Sequence, residues 1–338
     1  MLSRETNICS IFFLGLTTVL FSIPNEDIAS LVAQYQLNVG QYLVPASEKV
    51  QISNWFHPTS QDYEILQNYL SFAYRPELQY LNYPGTTWRE ERIRNFKLID
   101  MNGSPKFGVL HLNGSPSNKE NCIVTYVSCD ERYESHLDKL IHQLKSIGFD
   151  GHVIFRVGGW PNTEEGSLQF FDVPYAFKVY SILEAKRLGY KNCLWIDSCH
   201  LPLKKLDPIF KHIDEHGVFL FIQADPLTLT ATVDVTGYIQ EFAARALANI
   251  SVLEFCRLPV ATSAVVGLDV TSDRGLKILY AWQEMIESKL GCLSFIPEMA
   301  PLFVLVDRFK LIPYGGNWAY YAVPGQINPE TIIYSNHP

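Results

Sequence analysis

An apolar run, Cys193-Leu194-Trp195-Ile196, delivers a carboxylate, Asp197, which is followed by Ser198, Cys199 and His200. An acid at the end of a buried strand can do several kinds of chemistry. Mg²⁺ and Mn²⁺ prefer carboxylate, phosphate and water oxygens, and Mg²⁺ takes only one or two protein carboxylates. Asp197 is therefore a candidate metal ligand, and His200 beside it is a second. The Cys199 thiol suits such an ion poorly. Asp197 can equally contact a ligand hydroxyl, or simply cap the turn after its strand. A nucleophile–base pair of Cys199 and His200 is disfavoured, because neighbours on a strand point to opposite faces.

Other residues could share a site with this acid. Lys178 and Arg156 are fixed cations able to stabilise a developing anion, although most lysines are solvated on a helix face. The segment SCDERY places Ser128, Asp130 and Arg132 directly after an apolar strand. They either contact a polar ligand or form the cap and first turn of the next helix, where acids suit the helix dipole. Glu298 in FIPEMAPLF and Asp269 in AVVGLDVTS are carboxylates beside apolar runs. Each is a candidate general base for a hydroxyl, or a cap. Gly158-Gly159 permits a close backbone approach or a turn. YGGNWAYY offers aromatic faces for a sugar ring, or core packing.

The elements that must position these residues alternate in the manner of an α/β domain. CIVTYVS, GHVIFRVGG and NCLWID read as buried strands, and VFLFIQ as a fourth. Between them, YESHLDKLIHQLKSIGF carries Leu137, Leu140, Ile141 and Leu144 on one helical face, and VPYAFKVYSILEAKRLGY carries Ala176, Tyr180, Leu183 and Leu188. Gly148 and Gly189 end these helices, and LDPIFKHIDEHG adds a short third. The pattern predicts a largely parallel sheet with right-handed crossovers. Ligands of such sheets bind at the carboxyl ends of the strands. Here those ends are Ser128-Cys129-Asp130, Gly158-Gly159-Trp160 and Asp197-Ser198-Cys199.

Composition excludes several classes. The chain of 338 residues is 47% hydrophobic, 13% aromatic and 18% charged, enough for a substantial core. A net charge of -8, with no Lys/Arg run, argues against a nucleic-acid partner. The seven cysteines form no Cys-x-x-Cys pair, so most read as buried thiols. Residues 8–23 are apolar or weakly polar, with Arg4 ahead and Glu26 and Asp27 behind. This run falls short of the roughly 20 residues of a bilayer span. It reads as a signal peptide or signal-anchor over residues 1–24, or as a buried first helix. The first reading predicts a membrane-anchored or secretory protein, lumenal in a Golgi-type compartment if eukaryotic, touching membrane through this segment only. Asn102, Asn113 and Asn249 each open an N-x-S triplet, a glycan acceptor in that setting.

Over residues 121–314 the order of motifs resembles the nucleotide-diphospho-sugar transferases of the GT-A fold. The likeness lies in IVTYVSCDERYESHLDKLIHQLKSIGFDGHVIFRVGG followed by VPYAFKVYSILEAKRLGYKNCLWIDSCHLPLKKLDPIFKHI. It implies a Rossmann-type three-layer αβα sandwich with a mostly parallel mixed sheet. With the signal peptide or signal-anchor at 1–24, the expected domains are an N-terminal extension packed on the core at 25–118, a GT-A-like nucleotide-sugar-binding or transferase domain at 119–325 and a C-terminal tail at 326–338. By the same resemblance, Ser128, Asp130 and Arg132 line the nucleotide, Lys178 faces the diphosphate, and Asp197 and Cys199 occupy the Asp-x-Asp position. The expected donor is a nucleotide sugar, the cofactor a divalent Mn²⁺ or Mg²⁺, and the acceptor a glycan, protein or lipid. Cys199 stands where the family has its second acid, and LIPYGGNWAYYAVPG lacks the late His or Asp often found there. A catalytically inactive relative that binds glycan or nucleotide, and an unrelated α/β hydrolase, are the alternative readings.

Overall fold

The computed structural model describes residues 106–127, 131–158, 161, 175–222, 247–251, 258, 261–288, 298–311, 314–315, 319–321 and 329–335. The apolar segment at 8–23 and most of the expected extension lie outside the described residues, as do Ser128 and Asp130. Among the described residues no helix is long and apolar enough to cross a membrane.

Three parallel strands, β2 (Asn121–Val127), β3 (Gly151–Val157) and β4 (Asn192–Ile196), form the middle of a mixed seven-stranded sheet. β1 (Lys106–Leu112) closes one edge antiparallel to β3. On the other side β7 (Ala261–Asp269) runs antiparallel between β4 and β6 (Val218–Ile222), and the two-residue β8 (Tyr314–Gly315) joins β6 in parallel. The order is β1-β3-β2-β4-β7-β6-β8. All five residues of β4 and all nine of β7 are buried, as strands covered on both faces require. The expected α/β sandwich is therefore present.

Alternation along β4 splits the core in two. Cys193 and Trp195 point to a layer built by α2 (Phe177–Arg187), α4 (Asp273–Glu287) and α5 (Met299–Arg308). Leu194 and Ile196 point to the opposite layer, which holds α1 (Glu131–Ser146) and α3 (Asp207–His216). Gly148 and Gly189 do terminate their helices, at φ of 70° and 85°, a left-handed backbone that glycine adopts without steric cost. α2 departs from the amphipathic expectation, since every residue from Lys178 to Ala185 is buried. Its polar groups must then find partners inside. Glu184 does so through Arg156 of β3, whose Nε lies 2.9 Å from Oε2 while a terminal guanidinium nitrogen meets Oε1. This fork commits Arg156 to the scaffold.

Two expected boundaries move. β1 belongs to the sheet, so the α/β domain reaches back at least to Lys106, inside the region read as an extension. Residues 333–335, read as a tail, form β10 (Ile333–Ser335), which pairs antiparallel with β5 (His200–Pro202) and parallel with β9 (Ala319–Tyr321). Ile332 and Ile333 are core residues.

His152 and His212 are both buried, and burial is the main cause that holds both below the usual imidazole range, His212 at about 4. The unfolded chain binds protons at both sites first, so stability falls as pH drops from about 6.5 towards 4. We expect urea unfolding free energy to decline through this window by up to ~1.4 kcal/mol per pH unit for each histidine. A His212→Phe variant should show a shallower decline; an unchanged slope refutes its contribution.

Candidate functional site

Because β7 runs against β4, its first residues lie at the same edge as the carboxyl end of β4. Ile196 pairs with Val265, and the Asp197 amide donates to the Ala264 carbonyl at 2.9 Å. The His200 amide then returns to the Asp197 carbonyl at 2.8 Å, a tight turn that starts β5. Asp197 is thus fixed through its backbone on both sides. Its side chain is 27% exposed, so its carboxylate is open to solvent in part.

Beneath it lies Lys178, in the first turn of α2 and only 3% exposed. Its ammonium is 3.1 Å from each oxygen of Asp197. It also donates to Ser263 Oγ at 3.0 Å and to the Ser263 carbonyl at 3.3 Å, and it sits 3.6 Å from Glu298 Oε1. Ser263 Oγ in turn donates to Glu298 Oε1 at 2.8 Å. The Trp195 indole, two residues before the acid on the same face of β4, donates to Asp197 Oδ1 at 2.7 Å. The rings of Tyr175 and Trp195 flank the ammonium, with centroids 5.2 and 5.8 Å away. Four elements therefore converge on one cation: α2, the end of β4, the start of β7 and the residue before α5.

Glu298 is 5% exposed, and among the described residues its Oε2 has no hydrogen-bond partner. Burial pushes its carboxyl above the usual range, against the pull of Lys178 and the Ser263 hydroxyl. The backbone carbonyl of Glu298 accepts from the Trp282 indole at 3.1 Å, which anchors the residue against α4.

The residues proposed from sequence are distributed unevenly. Lys178, Asp197 and Glu298 come together. Asp269 does not: it pairs with Asn192, at the start of β4, so it lies at the opposite edge of the sheet. Its Oδ1 accepts from the Thr271 amide and hydroxyl and from the Ser272 amide, a turn cap before α4. Arg132 falls in the first turn of α1. Cys199 is half-buried, with its sulfur 3.3 Å from His200 Nδ1, and His200 itself is buried. Lys178 is not the solvated helix lysine of the ordinary case. Ser263 and Trp195 were missed, although each is a polar-bearing residue inside an apolar strand and so signals a buried partner.

A hard divalent cation fits these residues poorly. Both Asp197 oxygens already accept hydrogen bonds from Lys178 or Trp195. The next candidate ligand is a thiol. Among the described residues no three of His, Cys, Asp and Glu are grouped so as to hold a metal.

No protein-family model matches the chain, and no curated protein matches it. Solved structures do. Mouse xyloside xylosyltransferase 1 in its apo form overlaps 64% of this chain and 97% of its own, at 9% identity and a TM-score of 0.39. The galactosyltransferase LgtC, bound to donor and acceptor sugar analogues, overlaps 64% of this chain and 86% of its own, at 10% identity and a TM-score of 0.36. An active-site mutant of LgtC gives the same coverage and TM-score at 14% identity.

Removing Lys178 leaves two carboxyls facing each other without a cation. Lys178→Met is expected to cost about 3–5 kcal/mol in urea unfolding. Adding Glu298→Gln to it should recover part of that loss, because the remaining carboxylate then stands alone. Strict additivity of the two substitutions refutes the coupled cluster.

Proposed function

We propose that this protein is a glycosyltransferase that takes a nucleotide-diphosphate sugar as donor. The observation that carries the reading is one partly exposed carboxylate, Asp197, held by a buried ammonium at the carboxyl edge of the parallel strands, where α/β sheets bind ligands. The motif order that resembles GT-A enzymes supports the same choice. Asp197 accepts a hydrogen bond from a donor hydroxyl, and Lys178 is the positioning residue that holds the carboxylate in place. Trp195 fixes its rotation. Arg132, in the first turn of α1, serves the nucleotide together with Ser128 and Asp130, which lie outside the described residues. The acceptor is a glycan, protein or lipid bearing a free hydroxyl.

The chemistry needs a carboxylate that stays in place as charge develops on the leaving diphosphate. A preorganised, partly desolvated group achieves this at little reorganisation cost. Calorimetric titration of the full chain with UDP- and GDP-sugars is expected to reveal one donor that binds with a Kd of about 1 mM or tighter. Asp197→Asn should lower turnover of that donor by ~100-fold or more while circular dichroism shows a folded protein. Donor turnover that survives Asp197→Asn removes the acid from the mechanism. Absence of binding by every nucleotide sugar removes the reading itself. Tight binding without turnover favours a non-catalytic binder, the reading that Cys199 supports.

We also propose a lumenal location, supported by the apolar residues 8–23. Expressed in eukaryotic cells, the full chain should fractionate with membranes or enter the secretory pathway, and a version lacking residues 1–24 should stay cytosolic. Identical distributions of the two argue for the buried-helix alternative.

A further inference from the structure

We infer that the Lys178 ammonium is a built-in cation occupying an oxygen cage, and that donor binding at this site is independent of divalent metal. The inference rests on the glycosyltransferase reading for the identity of the donor, but its physical basis is separate. Among the described residues five oxygens surround Nζ: both of Asp197 at 3.1 Å, Ser263 Oγ at 3.0 Å, the Ser263 carbonyl at 3.3 Å and Glu298 Oε1 at 3.6 Å. Carboxylate, hydroxyl and carbonyl oxygens are the donors that hard cations select. In this chain the cation is covalently attached, through the first turn of a helix buried along most of its length.

The cage explains the departure from the Asp-x-Asp pattern at Cys199. A divalent ion and an ammonium compete for the same Asp197 oxygens, so a second acid at position 199 has no ion to serve. The thiol there needs only to tolerate a half-buried position beside His200. Glu298 takes the role of the second carboxyl, from beneath the acid rather than two residues along the strand. Trp195 saturates Asp197 Oδ1 further. The ammonium supplies one positive charge where a metal supplies two.

The test has two arms on the full chain. First, Mn²⁺ alone is titrated into chelator-treated protein, and free Mn²⁺ is read by electron paramagnetic resonance. The wild type should leave the ion free up to about 1 mM. Lys178→Ala, which empties the cage, should bind Mn²⁺ at least ~10-fold more tightly than the wild type, and Lys178→Ala combined with Asp197→Asn should lose that gain. Second, the wild type is titrated with UDP, GDP and their sugars in EDTA and again with Mn²⁺ or Mg²⁺. The donor Kd should agree within about twofold between the two conditions, a difference well under 1.4 kcal/mol. Tight Mn²⁺ binding by the wild type, or a donor Kd tightened tenfold or more by metal, overturns the inference. So does a folded Lys178→Ala protein that ignores Mn²⁺. If Lys178→Ala fails to fold, the wild-type measurements in both arms decide. A wild type that ignores both Mn²⁺ and every nucleotide defeats the glycosyltransferase reading and the donor half of this inference with it, while the cage is judged by Lys178→Ala alone.

Discussion

A buried ammonium is the constraint around which the rest of this site is arranged. Lys178 is 3% exposed, on a helix whose residues from 178 to 185 are all buried. A lone cation there would cost several kcal/mol. Its placement is tolerable only because Asp197, Ser263 and Glu298 arrive from three other elements. Each of those residues is in turn committed. Asp197 cannot rotate without losing Trp195, and Ser263 bridges the lysine to Glu298. The rigidity of the exposed carboxylate is thus inherited from the charge hidden behind it.

Sheet topology makes the convergence possible. In a purely parallel sheet every strand would present its carboxyl end at the ligand edge, and side chains from strand starts would be absent there. β7 breaks that rule. Its reversed direction brings Thr262, Ser263 and Ala264 beside the end of β4. It also carries Asp269 away to the far edge, where it caps the turn into α4. One antiparallel strand in a parallel neighbourhood therefore decides which acid lies at the edge of the candidate site and which caps a turn at the far edge.

Much of the architecture was legible because it rests on local pattern. The apolar runs at β2, β3 and β4, the helical spacing of Leu137, Leu140 and Leu144, and the helix-ending glycines 148 and 189 are short-range signals, and each element formed where they indicated. Asp197 was legible as a strand-end acid for the same reason. Ser263 was not, because its partners are 85 and 35 residues away and nothing in ATSAVVGLD reveals the strand's direction. The same holds for β1 and β10, whose sheet partners are distant in sequence. The triplet Asn113-Gly114-Ser115 shows the limit of motif reading. The Asn113 amide donates to the Phe149 carbonyl at 3.0 Å, so the group a glycan would need is already in use, whereas Asn249 is exposed.

The pairing of β10 with β5 has a consequence for the order in which the protein is made. Among the described residues the strand that follows Asp197 finds its partner in residues 333–335, and the Lys204 ammonium reaches the Pro329 carbonyl across 125 residues of chain. During synthesis, β2, β3 and β4 emerge together and can pair at once. The turn at 197–200 must then wait, with the edge of β5 unpaired, while the whole of β6, β7, α4 and α5 is added. Unpaired edges are templates for wrong partners. The segment closest to the candidate site is therefore the one whose sheet closes last, and a ribosome stalled late would release a nearly complete sheet whose site edge is still open.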